Sequence, residues 1–208
     1  MQILHGDSLQ DYHESSQTME QRVAQIIEGK EDELLWFVEH PPLYTAGSSA
    51  KEEDLIDKDK FPVYETGRGG QYTYHGPGQR VVYAMLNLKQ RDAMDIKAYV
   101  YNLEQWVINT LTTLGIDGQR RQGRVGIWVV SDQGKEEKIA AIGIRVRKWV
   151  TYHGIALNIN PDLSHFEGIV PCGISQYGVT SLKKLGITIP MNEIDDILKQ
   201  EFEKIFGR

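Results

Sequence analysis

Cys172 is the one cysteine of the chain and stands in the stretch IVPCGIS, between Pro171 and Gly173. A lone thiol in an ordinary protein is either a small buried hydrophobe or a nucleophile. The second role needs a neighbouring group that favours the thiolate, the form that attacks. Two titratable residues bear on that choice. In KIAAIGIRVRK, Ile142, Ile144 and Val146 alternate with Gly143, Arg145 and Arg147, the period of a strand. Lys138 has the parity of the apolar set, which predicts an inward amine, partly stripped of water and fit to exchange protons. The alternative is a lysine that snorkels out from the strand end. Lys135 falls in the loop before it. His153 shares parity with Ile155, Leu157 and Ile159 and is expected to face inward on the next strand. A lone inward histidine is commonly a satisfied core residue, but two inward titratable groups on adjacent strands point to a site.

A second concentration of constraint is ETGRGGQYTYHGPGQ, residues 65–79, with Gly67, Gly69, Gly70, Gly76 and Gly78. Glycine permits positive φ or the close approach of a ligand or backbone. Arg68 and His75 add a fixed charge and an imidazole. The stretch reads equally as a ligand wall and as a pair of tight turns. It is neither G-x-G-x-x-G nor a P-loop, so it gives no support to nucleotide binding by those mechanisms.

The elements that must position these groups alternate in type. A helix is expected over residues 8–29, opened by Ser8 and ended by Gly29, and a strand over 34–40. HPPLYTAG is expected to be a loop, because Pro41 and Pro42 lack backbone donors. VYETGR reads as a short strand, and residues 80–88 as a strand buried on both faces. Apolar residues from Ile96 to Leu114 recur at three- and four-residue steps, with Asp95 placed to cap the helix and Gly115 to end it. Strands follow at 126–132, 138–149 and 151–160, the last two as a hairpin, then a helix from Asn192 as N-cap to about Phe206. Residues 48–60 form an exposed loop or short helix and are the candidate lid. Strands this closely spaced leave no room for helical crossovers, so the expected class is α+β with mixed, mostly antiparallel sheet flanked by helices.

At 208 residues, 40% hydrophobic and 25% charged, the chain reads as one globular domain over 1–208. A single cysteine excludes an intramolecular disulfide framework. The first residues show no signal-peptide pattern and no run is long enough to span a membrane, so a reducing, cytoplasmic setting is expected. The net charge of −6 argues against a general nucleic-acid binder. Positive charge gathers at Arg120, Arg121 and Arg124, and at Arg145, Arg147 and Lys148. Each cluster reads as a solvated face or as a docking point for an acidic partner.

RGGQYTYHGPGQRVVYAMLNL, GIWV, KIAAIGIRVRKWVTYHGIALNIN and IVPCGI, taken in this order and spacing, resemble the lipoyl(octanoyl) transferases over roughly residues 40 to 175. The resemblance implies the fold shared by lipoate–protein ligases and the catalytic domain of biotin protein ligases. It implies Cys172 as the acyl-accepting nucleophile and Lys138 as the partner that favours the thiolate and relays protons. It implies that Arg68, Gly69, Gly70 and Gln71, with Tyr72, Thr73, Tyr74 and His75, wall an acyl-chain site. Ala141, Ile142 and Gly143 and, with His153 beside them, Gly154, Ile155 and Ala156 complete that wall. The implied reaction moves an octanoyl group from octanoyl-acyl carrier protein through a Cys172 thioester to a lysine of a lipoyl domain. The implied acceptors are 2-oxoacid dehydrogenase E2 subunits and the glycine cleavage H protein. No metal or cofactor is implied, nor a nucleic-acid or membrane partner, and the enzyme is expected as a monomer. Competing readings are an ATP-dependent ligase on the same fold, a cysteine thioesterase, and a non-catalytic module that binds a carrier protein.

Overall fold

The computed structural model describes residues 1–131, 133–170 and 177–207. Strand β1 (Gln2–Leu9) leads into helix α1 (Tyr12–Ile27), followed by β2 (Leu34–Glu39), β3 (Leu43–Ala46), β4 (Val63–Glu65), β5 (Thr73–His75) and β6 (Gln79–Met85). Helix α2 (Ile96–Thr113) precedes β7 (Gln119–Arg121), β8 (Arg124–Val130), β9 (Glu136–Arg147) and β10 (Val150–Asn158). Strand β11 (Gly178–Val179) and helix α3 (Met191–Phe206) complete the described elements. The main sheet runs β1-β2-β6-β10-β9-β8-β7, with β11 paired to β9, and a second sheet runs β4-β3-β5. Most pairs of the main sheet are antiparallel, β1–β2 and β9–β11 being parallel.

Every residue of β6 is buried, because both faces of the sheet are covered. On one face Leu35, Phe37, Val82 and Leu157 pack under Leu103 and Trp106 of α2 and Leu198 and Phe202 of α3. On the other, Leu34, Trp36, Val81 and Tyr152 pack under Met19, Val23 and Ile26 of α1. Helix α1 covers only part of that second face, and the glycine-rich segment with the small sheet covers more of it. Tyr44, Tyr74 and Phe166 form the core beneath the small sheet. No helix among the described residues is long and apolar enough to cross a membrane.

Several boundaries differ from the sequence expectation. Ser8 does not open the first helix: residues 2–9 are a strand paired parallel to β2, and α1 is capped by Asp11, which accepts from the Glu14 N–H. HPPLYTAG is only partly a loop. The two prolines end β2, and once past them the chain is free to donate, so Leu43–Ala46 becomes the middle strand of the small sheet. Residues 48–60 hold one short 3-10 turn, Glu52–Asp54, and are tied down by bonds from the Ser48 and Ser49 amides to the carbonyls of Arg68 and Gly70. The β9–β10 hairpin forms without glycine, since Lys148 and Trp149 both take positive φ, 49° and 66°, as a tight two-residue turn requires. Helix α3 starts after Pro190, one residue before Asn192, which is therefore not its cap.

The two helix starts give a paired prediction. Asp95 accepts from the Ala98 N–H at 3.0 Å, so Asp95→Ala should cost about 1 kcal/mol in urea unfolding. Asn192 lies exposed inside the first turn of α3, and Asn192→Ala should cost nothing or stabilise by a few tenths. Equal losses at the two positions would contradict the capping assignment.

Candidate active site

A cavity of about 280 Å³ opens on the α1 face of the main sheet, where α1 leaves the central strands uncovered. Its floor is β9 and β10, through Ala141, Ile142 and Gly143 and through Gly154, Ile155 and Ala156. The glycine-rich segment closes one side with Arg68, Gly70, Gln71, Tyr72, Thr73 and His75, and Lys138 and His153 stand at its wall. Gly154 is required where it is, because a β-carbon there would collide with the Val82 carbonyl of β6.

Gly69 and Tyr74 do not line the cavity. Gly69 instead donates its N–H to the Ile144 carbonyl at 2.9 Å and pins the loop to β9. Tyr74 sits between Thr73 and His75 on β5, so the pleat turns its ring away, where its hydroxyl meets His165 Nδ1 at 2.8 Å.

Lys138 and His153 both reach the cavity by departing from strand alternation, and the parity argument placed each on the wrong face. Ile142 and Ile144 pack under α2 and α3. Lys138 would join them but for a bulge. Ile127 pairs with Ala140 and Trp128 with Lys138, so β9 spends one extra residue, Ile139, and its alternation reverses. Lys138 is 6% exposed, with Nζ 5.3 Å from the centre of the Trp128 ring. Gly126, at φ 117°, makes room for it, since a β-carbon there would overlap Lys138 Cε. His153 turns by a different device. Its φ is +61°, a left-handed conformation that costs a non-glycine residue about 1 kcal/mol. The ring then stacks on Tyr152 at 5.4 Å rather than pointing to the helices with Ile155.

Arg68 holds the glycine segment. Its guanidinium donates to the carbonyls of Gly69, Thr45 and Gln71 at 3.0, 2.8 and 2.9 Å and to Thr45 Oγ1 at 2.7 Å. The charge also keeps nearby imidazoles neutral. Burial first, then the neighbouring His40 and the Arg68 charge among others, push His75 down to about 3. Burial and the charges of Arg68 and Arg145 do the same to His153. His75 Nδ1 lies 2.7 Å from Gln79 Oε1, whose amide nitrogen is spent on the Tyr74 carbonyl and Asn158, so His75 is the donor. His40 likewise donates Nδ1–H to the Gln10 carbonyl at 2.7 Å and accepts the Tyr83 hydroxyl on Nε2 at 2.6 Å.

Cys172 lies outside the described residues. The chain before them ends at Val170, whose N–H donates to the Asp54 carbonyl. It resumes at Tyr177, whose ring packs on Trp128 at 5.4 Å, and Val179 then pairs with Lys138 itself.

Tyr12, Tyr83 and Arg124 also line the cavity and were not anticipated. Tyr12 and Tyr83 are indistinguishable in sequence from core aromatics. Arg124 belongs to one of the basic clusters, but the charges of that cluster are engaged within the chain. Arg120 pairs with Glu104 at 3.1 Å, and Arg121 and Arg124 pair with Glu136. Arg145 and Arg147 share Glu20, at 2.9 and 3.3 Å.

The fold superposes on solved structures of lipoate and biotin protein ligases. Lipoate-protein ligase A bound with ATP superposes with a TM-score of 0.73 at 18% identity, over 99% of this chain and 85% of that one. The biotin protein ligase from Aquifex aeolicus in complex with biotin and ATP gives 0.60 at 14%, over 97% and 68%. At these identities the likeness is one of fold. Residues 11–203 match the lipoyl protein ligase A/B catalytic domain, and the chain belongs to that family. An octanoyltransferase of Paramagnetospirillum magneticum is 61% identical over 97% of this chain and 95% of its own length. Another, of Wolbachia pipientis wMel, is 56% identical over 97% of both.

The buried neutral histidines set a pH signature. The unfolded chain takes up protons on histidine near pH 6.5, whereas His75 and His153 in the folded state do so only near 3. Unfolding therefore binds protons across that window, and stability falls as pH drops, by about 1.4 kcal/mol per pH unit for each such histidine. Between pH 6 and 5, above the carboxylate range, urea unfolding should show this slope. His75→Gln should reduce it by about one proton, and an unchanged slope in that variant would contradict the assignment.

Proposed function

We propose that this chain is an octanoyltransferase that acts on lipoyl domains, with Cys172 as acyl carrier and Lys138 as proton carrier, the whole chain serving as one catalytic domain. The reading is carried by identity of 55–61% over nearly the whole chain to enzymes named octanoyltransferase. The cavity supports it, since its floor of Ala141, Gly143, Gly154 and Ala156 presents little beyond backbone and methyl groups to an acyl chain.

The Cys172 thiolate attacks the thioester carbonyl of octanoyl-acyl carrier protein. The carrier's C–S bond breaks, its sulfur leaves with the electron pair and takes the proton of the Lys138 ammonium, which becomes a neutral amine, and an octanoyl thioester forms on Cys172. A lysine amine of the lipoyl domain then attacks that thioester. The C–N bond forms, Cys172 sulfur leaves, and the proton lost by the amine passes to Lys138. The Lys138 ammonium favours the thiolate in the first step and its amine accepts the proton in the second. Thioester exchange is nearly neutral and amide formation from a thioester is downhill, so the sequence needs no nucleotide. A lipoyl domain as acceptor accords with a matched structure, a bipartite lipoate protein ligase and its E2 lipoyl domain from Thermoplasma acidophilum, TM-score 0.71 at 16% identity over 98% and 82% of the chains.

Mixing the protein with octanoyl-acyl carrier protein should add the mass of one octanoyl group, and a lipoyl domain should then remove it. Cys172→Ser should show no gain and Lys138→Ala a rate lower by at least a hundredfold, the scale of proton-transfer catalysis. Free octanoate released without acceptor would favour a thioesterase. Transfer that needs ATP and survives Cys172→Ser would favour a ligase.

A further inference from the structure

His153 stands between two cavities. It lines the acyl cavity on one side and, on the other, a cleft of about 140 Å³ bounded by Ser16, Met19 and Glu20 of α1, Thr66, Arg145 and Tyr152. Among the described residues it is the one the two linings share. Its ring is 8% exposed and makes no hydrogen bond to any described residue. It is held by stacking on Tyr152 at 5.4 Å and an edge contact with Tyr83 at 6.2 Å. Its left-handed backbone is what swings the ring into this position. Burial and two arginines keep it uncharged, as a wall against an alkyl chain should be. Beyond it the Met19 side chain and the Tyr152 ring give the cleft an apolar strip beside the polar Ser16, Glu20, Glu65, Thr66 and Arg145.

The geometry points to His153 as the partition that ends the acyl cavity and thereby limits the length of the chain transferred. This deepens the octanoyl-transfer reading and rests on it. Removing the ring joins cavity and cleft into one passage, in which a longer alkyl chain continues past position 153 toward Met19 and Tyr152. Each further methylene buried there favours binding roughly fourfold.

The test compares octanoyl- and dodecanoyl-acyl carrier protein as donors for wild type, His153→Gly and His153→Phe. Glycine suits the positive φ and removes the ring, and phenylalanine keeps a ring of similar size. The ratio of dodecanoyl to octanoyl kcat/KM should rise at least tenfold in His153→Gly and stay within twofold of wild type in His153→Phe. An unchanged ratio in a His153→Gly protein that unfolds as cooperatively as wild type overturns the proposal, as does an equal loss at both lengths. If the glycine variant does not fold, His153→Ala takes its place with the same criteria. Wild type that transfers no octanoyl group overturns the underlying reaction instead. Calorimetry of octanoic and dodecanoic acid binding to wild type and His153→Gly then decides the partition by the same tenfold criterion.

Discussion

Lys138 faces the cavity only because β9 spends one more residue than β8 between the pairs Ile127–Ala140 and Trp128–Lys138. Without that bulge the amine would sit under α2 and α3 among Ile127, Val129 and Ile139, where burial among apolar side chains penalises a charge. With it, the amine lies against Trp128 at the cavity wall, in the space that Gly126 leaves open. The rest of the arrangement follows from this local reversal. Strand β11 pairs with β9 at Lys138, Thr180 donates its N–H to the Lys138 carbonyl at 2.9 Å, and Tyr177 closes on Trp128.

The opposite wall is built on a different principle. Arg68 spends its donors on carbonyls of its own loop and of β3, so its charge serves as a clamp while its field acts on the cavity. Burial first, with that field adding to it, holds His75 and His153 neutral. The proposed acyl site would need such a surface. Neutral imidazoles beside an alkyl chain cost far less than charged ones, and the single proton of His75 is placed by Gln79.

Much of this was legible in the sequence, because the signals were local. The period of α2, the Asp95 cap, the doubly buried β6 and the β9–β10 hairpin each depend on residues close in the chain. The stretch from Arg68 to His75 read equally as a wall and as tight turns, and only the family resemblance favoured the wall, from which Gly69 and Tyr74 are absent. What failed did so for physical reasons. Gln2–Leu9 has no apolar alternation of its own and is a strand because β2 offers an edge. The bulge at Ile139 and the left-handed backbone at His153 are tertiary choices, invisible to parity, so Lys138 and His153 line the cavity from the face opposite to the one parity gave them. The ion pairs of the basic clusters were not legible either, because their partners Glu104, Glu136 and Glu20 lie elsewhere in the sequence.

The account rests on an amine that holds a cysteine sulfur in its reactive form, and alkylation tests it without any substrate. The rate of Cys172 modification by iodoacetamide, followed against pH, should have its midpoint in wild type below that of an ordinary thiol, about 8.5. In Lys138→Met, which keeps the length of the side chain and removes its charge, the midpoint should move up to the ordinary value. Coincident midpoints in the two proteins would show that Lys138 does not act on the thiol, and the central claim would be wrong.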